Sequence, residues 1–452
     1  MTETEQAAPP ERAAPEEQAH AVLDLAMRVG DALLSAGMSA NDAVVLMLRI
    51  TRAYGLKRRV HVDVTYTSIS TSYYPTPGGV PQTAIRSVQR EVVDYTQVRR
   101  LDRLSGQIES GLPLPEAKAA LERIRSARHP YPRWVSYLSN ALVGPAVSLL
   151  FTLSWKVMLI TFLTNCVVDR MLAGLDRRRV PPFFRQFAAA SLIVAVAATI
   201  TYWGGHGVAF LSGVDTSLVV VGGIIMLVTG MMIVGAVQDA IDEFYVTASA
   251  RVFEVMLRTA GIVAGIVVAL RVAQQVGAPL TISPRPAAFG PLGAQFVAVA
   301  LIAAFYAIWA YADAVTILLA AAMSALGWLT FTTAVRAGAG VLLADAAGAL
   351  VAALITTLLV RRTSVPGFGL ISAALLPLVP GLALYNGLLQ LIGPSTAQAD
   401  PAGGASTLLL ALGVALAIGA GASLGTFLGR PIVEQLRRIP FPTRRRNGNG
   451  HA

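Results

Sequence analysis

The chain has 452 residues, 54% of them hydrophobic and only 14% charged, with a formal net charge of +10. Soluble domains carry about 25% charged residues, which excludes an ordinary water-soluble enzyme for the chain as a whole. The average also hides a split: 32 of the first 133 residues are charged against 30 of the remaining 319, so the second part reads as a membrane domain.

Residues 1–19 are acidic and rich in Pro and Ala, without the apolar run of a secretory signal. They are expected to be a disordered tail that leaves the following part in the cytoplasm. Residues 20–132 read as a small α+β cytoplasmic domain. Val22, Leu25, Val29 and Leu33 recur at helical spacing, Gly37 can end that helix, and Ser39 or Asn41 can cap a second one running to about Tyr54. Val60, Val62, Val64 and Tyr66 alternate with polar residues as in a half-buried strand. A turn near Thr67 or Ser68 leads to a second strand, PTPGG to a third, and helices follow over Tyr95–Ser110 and Leu114–Ala127.

From Trp134 the sequence contains ten apolar segments, near 136–153, 156–172, 185–203, 216–237, 250–272, 291–311, 313–331, 338–360, 370–392 and 405–429. The fold class expected is an α-helical polytopic membrane protein of about ten transmembrane helices in two five-helix halves, 134–273 and 290–430, with a basic cytoplasmic tail at 431–452. The first two segments are separated only by SWK, as a tight hairpin or a re-entrant pair. Arg177–Arg179, Arg361 and Arg362 and the C-terminal arginines fall on one side of such a bundle, which places both termini in the cytoplasm. These runs are topology determinants and do not call for nucleic acid. The halves show a faint internal likeness. Each has a basic loop with proline (DRRRVPPFFRQF, RRTSVPGFGLIS), then an apolar stretch ending in LVTG at Gly230 or LVPG at Gly381. An odd number of spans per half would insert the two with opposite orientation.

Ionisable and amide groups inside apolar segments are the functional signal, since each costs several kcal/mol (roughly 2.5–3.5 by insertion scales) unless it faces protein or water. Asp345 is the clearest, and with Asp239 is the candidate for proton coupling. Its alternative is a carboxylate reaching water or Arg336 at the helix end. Gln238, Asn165 and Asn386 are candidates for a polar substrate path, with Asp169, Glu254 and Tyr385 beside them. Gln238 and Asp242 share one helix face, and Arg251, Glu254 and Arg258 another. Acid–base pairing at that depth would be either a gate or a static staple, the staple being the stronger reading for Arg251 and Asp242. Pro377, Pro380 and Gly381 can interrupt the ninth helix. Gly261 with Gly265, and Gly421 with Gly425 and Gly429, allow close helix packing inside the bundle or, less readily, a homo-oligomer face. His61, Asp63 and Thr65 share a strand face, more in keeping with a solvated surface than with a catalytic pair. Cys166 stands alone, so no disulfide and no metal site are expected; the absence of Walker A, GxGxxG and HExxH patterns points to no cofactor.

The stretch LRITRAYGLKRRVHVDVTYTSIS, the VPPFF loop and VGAVQDAIDEFYVTASAR at 234–251, in that order, resemble the threonine/serine exporters in their fused two-module form. The resemblance covers nearly the whole chain. It implies export of L-threonine, L-serine or related small molecules from a bacterial cytoplasm by the proton motive force, and carries no assigned catalytic residues. A membrane-anchored hydrolase using His61 and Asp63, and a membrane sensor or structural protein, are the alternatives. Turnover by the N-terminal part, or binding without flux, would distinguish them.

Overall fold

In a computed structural model of the chain the described residues are 16–36, 38–56, 59–76, 79–88, 93–225, 227, 230–277, 288–363, 367–392 and 400–437. Most of the expected N-terminal tail, Gly37, and positions 438–452 of the basic tail lie outside them.

The N-terminal unit follows its periodicities. Helices α1 (Glu16–Ser35) and α2 (Ala40–Ala53) pack together; α1 begins inside the expected tail because Ala19 is fully buried. Ser39 is the cap of α2, its hydroxyl accepting from the Asp42 amide at 3.1 Å. Strands β1 (Val60–Val64), β2 (Ser68–Tyr73) and β3 (Gln82–Ser87) form an antiparallel meander with Val64 opposite Ile69 and Ser70 opposite Ile85. The first turn spans Thr65–Ser68, where the Thr65 amide donates to the Ser68 carbonyl at 2.8 Å. In β2, buried Ile69, Thr71 and Tyr73 alternate with half-buried serines, so one face closes the core under α1 and α2. Helices α3 (Tyr95–Glu109), capped by Asp94, and α4 (Leu114–Ser126) complete the unit.

The remainder is helical: α5 (Arg133–Leu149), α6 (Trp155–Arg177), α7 (Pro182–Gly205), α8 (Thr216–Ile224), α9 (Gly230–Ile241), α10 (Tyr245–Gln275), α11 (Leu292–Trp309), α12 (Ala314–Arg336), α13 (Val341–Thr363), α14 (Gly367–Leu375), α15 (Gly381–Ile392) and α16 (Pro401–Arg437). Among the described residues seven helices, α6, α7, α10, α11, α12, α13 and α16, are long and apolar enough to cross a membrane, as in a multi-pass membrane protein. Along α6, exposed Leu159, Leu163 and Val167 recur every fourth residue, a stripe suited to lipid.

Several boundaries differ from expectation. The segment 216–237 is not one helix: α8 stops at Ile224, and α9 restarts at Gly230 and runs on to Ile241. The segment 370–392 is also divided, α14 ending in a 3-10 turn at Leu376–Leu378 and α15 opening at Gly381. There Pro377 and Pro380 remove backbone donors and stop the ladder. The first break has no proline, and the adjacent Gly222 and Gly223 weaken the helix instead. The 136–172 pair is two helices, α5 with 17 residues and α6 with 23, packed on each other. Helix α16 continues beyond 430 to Arg437, so the basic tail starts later than expected.

Two helix pairs are held by the same device. A Cβ on Gly261 or Gly265 of α10 would stand 2.4 or 2.3 Å from the carbonyl oxygens of Phe183 and Phe187 on α7. On α16, a Cβ on Gly421 or Gly425 would stand 2.3 or 2.4 Å from the carbonyl oxygens of Ala346 and Leu350 on α13. The glycines therefore serve packing within the bundle.

Candidate functional site

The N-terminal unit is anchored to the helices at two turns. The first joins α9 to α10. Its tight reversal puts Glu243 at φ 69°, with the Phe244 amide donating to the Asp239 carbonyl at 2.8 Å. This directs Asp239 at the start of α2, where its Oδ1 accepts from the Ala40 amide at 3.3 Å. Asn41 Nδ2 donates to Asp242 Oδ2 at 3.1 Å, the Thr247 hydroxyl to the Val64 carbonyl at 3.1 Å, and the Tyr66 hydroxyl to Glu254. Phe244 packs against the core of the N-terminal unit. Behind Asp239, Arg251 Nε lies 2.9 Å from Asp239 Oδ2, both side chains being buried. Gly235 leaves room for that guanidinium, since a Cβ there would be 2.6 Å from an Arg251 terminal nitrogen.

The second anchor is the turn between α11 and α12. The Tyr95 amide donates to the Ala310 carbonyl at 2.9 Å, the Thr96 hydroxyl to the Tyr311 carbonyl at 2.6 Å, and Arg99 pairs with Asp313 at 3.1 Å. The Tyr95 ring is buried among Ala303, Ala307, Ala310 and Leu370 and lies over Gly369. Tyr131 donates to the Ile308 and Ala312 carbonyls at 2.6 and 3.1 Å. Burial first, and the neighbouring Asp94 carboxylate second, hold its phenol above the ordinary range, so it remains a donor.

Between these anchors lies a cavity of about 770 Å³. One wall belongs to the N-terminal unit and includes Ser39, Asn41, Asp42 and Asp102. The other comprises Gln238 of α9 and Asp242 in the turn after it, Thr357 of α13, Gly367 and Ser372 of α14, and Ser423 of α16. The inner pieces of both interrupted helices thus face the same space. At its depth Val234 and Leu375 belong to an apolar cluster against which Ile225 and Val379, at the two breaks, also pack.

Of the proton-coupling and substrate-path candidates, Gln238 alone lines this cavity, and its carboxamide makes no hydrogen bond to a described residue. Asp239 and Glu254 are drawn into the first anchor. Arg251 pairs with Asp239, not with Asp242 as the staple reading had it. Asn165 is buried on α6, its Nδ2 donating to the Ala141 carbonyl at 3.4 Å while its Oδ1 finds no partner among the described residues. Asp169 takes both amide contacts of Asn140, at 2.9 and 3.2 Å, a partner the sequence did not suggest. Asp345 is buried near the start of α13 and forms no ion pair with Arg336. Asn386 is buried on α15, and the side chain of Tyr385 lies outside the described residues. These groups are dispersed through the bundle rather than gathered in one site. His61 and Asp63 are exposed on β1, away from any described cavity. Among the described residues no cluster of His, Cys, Asp and Glu could hold a metal ion.

Residues 24–273 match the threonine/serine exporter family, and residues 295–428 match a second module of threonine/serine exporters. A Mycobacterium tuberculosis protein named "Probable threonine/serine exporter" is 32% identical over 426 residues, covering 91% of this chain and 77% of the relative. The chain belongs to the threonine/serine exporter family. The threonine/serine exporter of Corynebacterium glutamicum is 30% identical over 427 residues, covering 94% and 84% of the two chains. No solved structure matches this exporter-family chain. The family is one of transporters, not enzymes, and the 234–251 stretch that carries the likeness builds the first anchor and one wall of the cavity.

Proposed function

We propose that the protein is a secondary exporter of small hydroxy amino acids, L-threonine and L-serine, driven by the proton motive force across a bacterial plasma membrane. With α5 and the two interrupted pairs added to the seven long helices, the bundle has ten spans in two halves of five. The N-terminal unit and both termini are cytoplasmic. Support comes from the matching positions of the breaks, each in the fourth span of its half, and from the glycine contacts repeated between the third and fifth. Paired interruptions of this kind mark the substrate path in inverted-repeat transporters.

The observation that carries the reading is the cavity that α9 and α14 line together, with the Gln238 amide, which bonds to no described residue, facing it. An amino acid entering there finds acceptors for its ammonium and an amide for its hydroxyl. The apolar cluster at the depth closes the way outward. Asp345 is the proton carrier in this scheme, because Asp239 is occupied by Arg251 and the start of α2. Asn165 and Asn386 extend the polar path, and Asp169, Glu254 and Tyr385 are secondary.

Counterflow of radiolabelled threonine and serine in proteoliposomes tests the assignment. Labelled substrate should accumulate, and an imposed pH gradient should alter its steady level. Absence of counterflow for both amino acids would overturn the reading.

A further inference from the structure

The cavity is not confined to the helical bundle. Its second wall is made by α1, α2 and α3, with Leu33, Met38, Asn41, Asp42, Val98 and Asp102 turned toward it. We propose that the N-terminal unit is part of the substrate-binding site: a zwitterionic, otherwise uncharged amino acid is captured between this wall and α9 before it reaches the membrane interior. The proposal deepens the exporter reading and rests on it.

The anchoring geometry supports this assignment. Asp239 on α9 and Asp242 in the turn after it fix the first turn of α2 through Ala40 and Asn41, and Gln238 lies on α9 one position before Asp239. The contacts that hold the unit therefore also set the spacing between Gln238 on one wall and Asp42 on the other. The chemistry across the gap is unequal. Two carboxylates of the lining, Asp42 and Asp242, attract an ammonium group in addition to the Ser39 and Asn41 donors they already accept from, while Asp102 faces Arg49 at 3.8 Å. On the bundle wall the Gln238 amide and the Ser423 hydroxyl can donate to a carboxylate. The rest of the lining is apolar, including Leu46, Ile371 and Phe427. An acidic side chain would have to be desolvated against that lining with no cationic lining residue to pair with, which selects against acidic amino acids.

The test uses the full-length chain in proteoliposomes, with Cys166→Ser as background. Single cysteines are placed on the N-terminal wall (Asp102→Cys), on the bundle wall (Thr357→Cys) and outside the cavity (Arg125→Cys). Maleimide labelling is timed with L-threonine, L-serine or L-glutamate present, and counterflow is measured on the same vesicles. Threonine or serine at about ten times its Kd should slow labelling at 102 and 357 about tenfold, by simple occupancy. Position 125 should be unaffected, and glutamate should protect neither wall. Met38→Trp, which fills the cavity from the N-terminal side, should raise the threonine concentration needed to protect position 357. Vesicles that show counterflow without protection at 102 overturn the proposal and leave the exporter reading standing. Protection at both walls without counterflow supports the binding site and removes the transport assignment. Absence of both overturns the two together.

Discussion

Replacing Asp239 tests whether this carboxylate is an anchor or a proton carrier. Its side chain is fully buried and lies 2.9 Å from Arg251, which is itself 9% exposed. At an effective dielectric of about 20 the gross attraction of such a pair is about 6 kcal/mol, largely offset by the desolvation of both ions. Removing one partner is different, because the remaining charge stays buried. Asp239→Ala should therefore destabilise the chain by about 3–5 kcal/mol. Asp239→Asn keeps an acceptor for the Ala40 amide and should cost somewhat less. The double replacement Asp239→Leu with Arg251→Met removes both charges and should return to within about 1–2 kcal/mol of the parent, since apolar pairs of similar volume often replace buried ion pairs without loss. Unfolding titrations of the four proteins in detergent micelles complete the cycle. A cost below about 1 kcal/mol for Asp239→Ala would place the pair in the class of solvated surface bridges and refute the reasoning.

Four further outcomes follow from the same contacts. Gly265→Val brings a side chain against the Phe187 carbonyl and should cost about 1–3 kcal/mol by overpacking, whereas Gly174→Ala, with nothing within 4 Å of its new methyl, should be neutral or stabilising in the same titration. Tyr95→Ala empties a buried aromatic site and should cost about 3–5 kcal/mol, with faster proteolysis between Ala127 and Tyr131; equal sensitivity of Tyr95→Phe and Tyr95→Ala would argue against burial as the cause. Asp345→Asn should abolish pH-gradient-driven efflux while the protein still reaches the membrane, and unchanged efflux from energised vesicles would remove Asp345 from the mechanism. A short bis-maleimide link between Asn41→Cys and Asp242→Cys, in a Cys166→Ser background, should arrest counterflow, and undiminished transport after cross-linking would show that this anchor need not open.

The N-terminal elements were legible because they follow from local chemistry. Ser39 caps α2, Asp94 caps α3, and alternation marks β1. The apolar segments were legible in the same way. The two interruptions were unequally visible. Pro377 and Pro380 announce the second, but the first has only Gly222, Gly223, Thr229 and Gly230 in an apolar run that otherwise reads as a continuous helix. The shared LVTG and LVPG endings were the better signal, for α15 restarts at the final glycine of that pattern and α9 is described from the corresponding glycine. The site itself was poorly legible. Asp239 reads as an acid in a membrane segment, and nothing near it in the chain reveals that its partner is the amide of Ala40, 199 residues away. Asn41 reads as a helix cap and instead reaches Asp242. Such pairings are set by how two folded parts meet, and single-chain periodicity carries no information about that.

The two anchors differ in kind, and the difference bears on how an alternating bundle would move. The α11–α12 anchor buries the Tyr95 ring among small apolar residues and stacks Tyr131 on Tyr311 with centroids 5.4 Å apart. Separating it would expose that apolar surface to water, with no compensating contact. The α9–α10 anchor is mostly polar: hydrogen bonds from Ala40, Asn41, Tyr66 and Thr247 that water can replace. Only Asp239 resists solvation there, and Arg251 moves with it because both belong to the α9–α10 hairpin. A displacement of α9 relative to α14 would therefore open the first anchor while the second holds, carrying the N-terminal unit with the α11–α12 side. Because α9 also bears Gln238, the same displacement would change the width of the cavity, which is why a link fixing Asn41 to Asp242 is expected to stop transport rather than merely slow it.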